Sequence, residues 1–219
     1  MIVVALVALL GSEPEDIADD IIGVITGFMV LSALLFGVVG ALNLTSEYSH
    51  NTIRVTFAAA PQRVRVLLAK VVVTIAITAV IAAVTVTICY FVGTIILDNR
   101  DVKVIVDGED KVAMMCTVVL SMLLAALGYG LGLIIRNSPA TVALVILWPL
   151  LLENIANAVL DAAGIDNPTP WLPYQSAIVM LNPDHGSRDP SRLHGALYLG
   201  AVVVGLIIIG LFVNDRRDA

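Results

Sequence analysis

Five uninterrupted apolar stretches, at about residues 21–42, 71–97, 112–135, 140–160 and 196–213, leave this chain little choice of fold. Each is long enough to cross a bilayer core of roughly 30 Å as a helix. No water is present there to satisfy a bare backbone, so only helices or closed barrels can span. The stretches are continuous rather than alternating, which excludes a barrel. Composition agrees: 59% of the residues are hydrophobic and 14% charged, where soluble domains are about a quarter charged. The sequence predicts an all-α polytopic membrane protein forming a single transmembrane domain over 1–219.

A sixth apolar stretch, residues 1–10 (MIVVALVALL), covers only about 15 Å as a helix. It has neither the basic start nor the small-residue cleavage site of a signal peptide. It is read as part of a first membrane helix whose beginning is missing.

The motif inventory argues against catalysis in this chain. There is no GxxxxGK[ST] phosphate loop, no HExxH and no CxxC, and His50, His185 and His194 are scattered over polar segments. No metal or cofactor is expected. Cys89 and Cys116 fall near or inside apolar stretches and read as small buried hydrophobes rather than a disulfide framework.

Charge distribution sets the expected orientation. With 43–70 inside, the inner side carries seven basic residues, among them Arg54, Arg63, Arg65 and Lys70, against five outside. The positive-inside bias is modest, but the acids reinforce it: only Glu47, Asp215 and Asp218 fall on the inner side. The alternation then puts the C-terminus in the cytoplasm.

The segment EYSHNTIRVTFAAAPQRVRVLLAK, residues 47–70, is short, basic and amphipathic. It is too small to be a domain, yet suited to a helix lying on a membrane surface. Asn51-Thr52 is placed to cap such a helix and Pro61 to stop or restart it. One reading is a solvated connector anchored by arginines; the other is a protein-docking element.

The order Glu47-Tyr48, Asn51-Thr52-Ile53-Arg54, Ala60-Pro61-Gln62-Arg63 and Ala69-Lys70 resembles the cytoplasmic loop of ABC-2 type transporter permeases, the membrane subunits of prokaryotic ATP-driven exporters. A second likeness lies at Trp171-Leu172-Pro173, with Ala177 and Leu181, similar to the Leu-Pro segment before that family's last helix. The resemblance implies a six-helix ABC-2 exporter-like transmembrane domain, here with a truncated first helix. It implies a second permease subunit, identical or not, in a plasma membrane. It also implies a separate ABC ATPase subunit that holds the ATP and Mg. By this resemblance 43–70 is a cytoplasmic coupling loop, with Glu47, Tyr48, Arg54, Pro61 and Arg63 as its coupling residues. Segment 161–195, including Trp171, Pro173 and Tyr174, is a re-entrant segment on the outer face. Nucleic acid is not an expected partner.

Other features carry two readings each. Gly23 and Gly27, and Gly128 and Gly132, are small pairs four residues apart that suit either a subunit interface or packing within the chain; Gly37 and Gly40 read the same way. Thr74, Thr78 and Thr85 form a polar stripe that lines a pathway or bonds its own backbone. Glu153, with Asn154 and Asn157 beside it, is the one acid inside an apolar stretch. It is a candidate for transport or gating, as is Asn157, or else Glu153 caps a helix break at Pro149 and reaches water. Asp107-Gly108 is a candidate turn for a small hairpin in the polar loop 98–111.

The function expected is that of an exporter permease. The alternatives are a non-transporting anchor or sensor subunit with a permease-like fold, and an ion-coupled carrier. A carrier calls for internal repeats and several ionisable groups near the midplane; no convincing repeat is present.

Overall fold

The computed structural model describes residues 21–49, 63–99, 108–181 and 191–217, and all its regular elements are helical. They are α1 (Ile21–Ser49), α2 (Arg63–Asp98), α3 (Gly108–Ile135), α4 (Ser138–Leu147), a π-helical turn (Trp148–Leu152), α5 (Glu153–Ala162), a 3-10 turn (Thr169–Trp171), α6 (Pro173–Ile178), a second 3-10 turn (Val179–Leu181) and α7 (Arg192–Arg217). Five of the helical stretches are long and apolar enough to cross a membrane, with α4, the π turn and α5 forming one of them. The first expected helix, 1–10, lies outside the described residues.

The helices run past the apolar stretches. α1 continues to Ser49 rather than ending at residue 42, and α2 starts at Arg63 rather than at 71. Much of the expected loop 43–70 is therefore helix. The polar residues there do not break it: Thr45 returns its hydroxyl to the Ala41 carbonyl at 2.9 Å, and Thr74 does the same to Lys70 at 2.8 Å. At 36 residues, α2 is about 54 Å long, so it tilts or projects beyond the ~30 Å core. Gly108 is the first residue of α3, and Asp107, its partner in the expected turn, lies outside the described residues.

α3 is the central helix. Of its most apolar stretch 67% is buried, against 17% for α4–α5 and 17% for α7. Without a hydrophobic drive between helices in lipid, close approach of small residues holds a bundle together. Here Gly37 and Gly40 of α1 face α3: a Cβ on Gly40 would overlap the Ala125 carbonyl, and one on Gly128 the Gly37 carbonyl. Gly132 sits against Thr45. The Gly128/Gly132 pair thus serves packing within the chain. Gly27 has nothing within 4 Å. The outward faces of α2 and α7 carry exposed Val, Ile, Leu and Phe, as lipid requires.

Pro149 does not break its helix. It has no N–H to give, and the turn widens around it so that the Glu153 N–H reaches the Trp148 carbonyl, five residues back. Between α3 and α4 the chain turns in two residues. Arg136 takes a left-handed φ of 54°, and the Asn137 side chain accepts from the Ala140 N–H at 3.1 Å to start α4.

Candidate functional site

The bundle has two polar ends, and the sequence-predicted residues divide between them. The first end collects the C-termini of α1, α3 and α7 with the N-terminus of α2. Glu47 and Tyr48 stand there, just before segment 50–62, and Lys70 stands just after it. The Lys70 ammonium donates to both carboxylate oxygens of Glu47. Both side chains are about a quarter exposed. The bond joins α1 to α2.

One residue on, Tyr48 turns toward the rest of the bundle. Its hydroxyl donates to the Asn214 side-chain oxygen of α7 at 3.1 Å, and the Arg136 guanidinium lies 5.0 Å from its ring centroid. A left-handed backbone is costly for any residue with a Cβ. Arg136 occupies one at the site where its charge covers an aromatic face. Deeper in, the fully buried Tyr129 of α3 donates its hydroxyl to the Leu67 carbonyl of α2 at 3.1 Å. One turn above the ion pair, Asn43 donates to the Thr74 hydroxyl at 2.8 Å. Both flanks of segment 50–62 are thus fastened to each other and to α3, the α3–α4 turn and α7.

Arg54 and Pro61 lie outside the described residues, and Arg63 is placed only as the first residue of α2. Of the threonines, Thr74 belongs to this cluster and Thr78 is buried one turn further along α2. Thr85 returns its hydroxyl to the Ile81 carbonyl at 2.7 Å, the local-bonding alternative. Asn43, Tyr129, Arg136 and Asn214 were not singled out from sequence as site residues. Arg136 had a signal, as a charge in a two-residue break between apolar helices; the others had none.

The second end holds the N-termini of α3 and α7, where Arg192 meets Glu109 at 2.7 Å, together with α6. Residues 169–181 form only short helical turns, too short to span. α6 begins at Leu172-Pro173, and Leu172 gives it no side-chain cap. Pro173 has no N–H, and the first intrahelical bond is Ser176 N–H to Leu172 carbonyl at 2.9 Å. That leaves the N–H groups of Tyr174 and Gln175 to be satisfied from elsewhere. Glu153 does it: its carboxylate accepts from Tyr174 N–H at 3.0 Å and from Gln175 N–H at 2.9 Å. It also accepts from the Trp148 indole N–H at 2.8 Å. Glu153 is 3% exposed. It does not reach water at a helix break, as expected from Pro149; it caps a different helix.

On its other side α6 meets α7. A Cβ on Gly195 would overlap the Ser176 carbonyl, and the Tyr198 hydroxyl donates to the Trp171 carbonyl at 2.9 Å. Trp171 itself is 70% exposed. Tyr174 is buried; burial first, and the Glu153 charge second, push its phenol up to about 12. Asn157 is half-buried on α5. At 3.6 residues per turn it shares a stripe with Glu153, Asn154 and Asp161, and the Gln175 amide donates to Asn154 at 3.1 Å.

No group of three or more His, Cys, Asp and Glu side chains is arranged to hold a metal among the described residues. No curated protein and no solved structure matched the chain. The model of the family described as ABC-2 family transporter protein matches residues 3–219. A near full-length family match, on a bundle of apolar spans, makes this a multi-pass membrane protein of the transport-permease type, a member of the ABC-2 transporter family.

Proposed function

We propose that the chain is the membrane subunit of an ATP-driven exporter, and that segment 50–62 with its flanks is where a separate ATPase subunit acts on it. The observation that carries the reading is the fastening of both flanks: Glu47 to Lys70, and Tyr48 to Asn214 beneath Arg136. A push on 50–62 is then delivered to α1, α2, α7 and the α3–α4 turn together rather than absorbed by a loose loop. The chain is the element that changes conformation, and its partner supplies the energy. A second permease subunit completes the pathway, in a prokaryotic plasma membrane with the C-terminus cytoplasmic. The ion-carrier alternative needs an ionisable group free to exchange; Glu153 spends its carboxylate on three donors.

The test is to measure ATP hydrolysis and transport in the same vesicles for Glu47→Ala and for the charge exchange Glu47→Lys with Lys70→Glu. The expectation is hydrolysis retained and transport lowered about tenfold in the single variant, with recovery in the exchange. Normal transport in Glu47→Ala counts against this placement.

A further inference from the structure

The coupling reading uses only the first polar end, and Glu153 stands at the other. We propose that the Glu153 carboxylate is a latch: it holds the first turn of α6 against the π turn of α4–α5, and without it that turn comes away while the membrane spans stay packed. Glu153 is then a positioning residue for this end of the pathway, independent of how the ATPase couples.

Three observations converge. First, every partner of the carboxylate is a donor: the Trp148 indole N–H and the backbone N–H groups of Tyr174 and Gln175. A carboxylate offers acceptors on both oxygens, which matches this set of donors, whereas the amide of a glutamine would turn N–H donors toward one of them. Second, α6 has no cap of its own, since Leu172 supplies none and Pro173 follows. The N–H groups of its first turn point at the buried Glu153, and a buried donor left unmet is expensive. Third, the widened turn sets the direction of the side chain. Trp148 and Glu153 are the two ends of the five-residue backbone bond and also the two ends of the indole–carboxylate bond. The π turn thus presents Glu153 and one of its own donors to α6 together.

On the α7 side the contacts are of another kind: Gly195 against the Ser176 carbonyl, and Tyr198 to the Trp171 carbonyl. The first turn of α6 is therefore held by α7 on one side and on the other by the Glu153 carboxylate with the Gln175–Asn154 bond beside it, while Ala177, Met180 and Leu181 further along the segment are buried in the core. Releasing the carboxylate uncaps the first turn of α6 while the α7 contacts and the core residues beyond it keep the rest of the segment in place, which is a local opening rather than an unfolding.

The test uses cysteine reactivity in nanodiscs, where both faces meet the reagent. Cys89 and Cys116 are first replaced by alanine. Ser176→Cys then reports α6, and Ser121→Cys in α3 reports the spans; both serines are fully buried. A membrane-impermeant maleimide is expected to leave both unreactive with Glu153 present. With Glu153→Gln, position 176 is expected to label at least ten times faster and position 121 to stay unreactive. Glu153→Asp, which keeps the carboxylate, is expected to label more slowly than Glu153→Gln at position 176. Unchanged labelling at 176 overturns the latch. Labelling at both positions, or failure of Glu153→Gln to fold, makes Glu153 a general stabiliser and overturns it too. Equal labelling in the Asp and Gln variants overturns the requirement for a carboxylate.

Discussion

The Tyr48 hydroxyl donates to the Asn214 side chain at 3.1 Å, tying the last turn of α1 to the last turns of α7 across 166 residues of sequence. Tyr48→Phe removes that bond and keeps the ring under Arg136. It is expected to cost about 1 kcal/mol. Tyr48→Ala also removes the cation–π contact and is expected to cost roughly 1 kcal/mol more. Thermal unfolding of the two variants in one detergent checks the order.

Arg136 gives a test in which glycine and alanine part. Its φ of 54° suits glycine and strains alanine. Arg136→Gly loses the contact with Tyr48 but relieves the backbone; Arg136→Ala loses the contact and keeps the strain. The glycine variant is expected to be more stable than the alanine variant by about 1 kcal/mol. On a continuous helix the order would be the reverse.

Gly40 and Gly27 lie on the same helix and should respond oppositely to a methyl group. At Gly40 the added Cβ meets the Ala125 carbonyl, so α1 and α3 must move apart. Gly40→Ala is expected to destabilise by about 2 kcal/mol or more. At Gly27 the space is open, and Gly27→Ala is expected to be neutral or slightly stabilising. A melting curve for each variant decides it.

Tyr174 predicts an alkaline limit. Its phenol is raised from 10 to about 12 in the folded chain, so the folded state holds the proton more tightly than the unfolded one. The stability this represents is complete below pH 10 and is lost as pH rises through 12. The gap in unfolding temperature between the chain and Tyr174→Phe should therefore change across that window and stay constant below it.

Span positions were legible because apolar length alone decides them. Helix ends were not. Thr45, Glu47 and Tyr48 read as loop by polarity, yet α1 carries them as helix because their side chains find partners on Ala41, Lys70 and Asn214. Glu153 was visible as an oddity in an apolar stretch. Its task was not, because the N–H groups it caps lie 21 and 22 residues away, behind three prolines, in a segment whose own sequence promises no helix. Close packing of Gly37, Gly40, Gly128 and Gly132 was foreseeable as a class, but which pair met which helix depended on the fold.

By the proposed function, the segment between Glu47 and Lys70 couples this chain to an ATPase. The most direct measurement is purification of the tagged chain from its native membrane in mild detergent, with Glu47→Ala purified in parallel, scoring bound ATPase subunit, ATP hydrolysis and transport after reconstitution. A stoichiometric ATPase subunit is expected with the unaltered chain and a weakened or uncoupled one with the variant. A well-folded chain that brings down no ATPase, or an association and hydrolysis that Glu47→Ala leaves untouched along with transport, would contradict it.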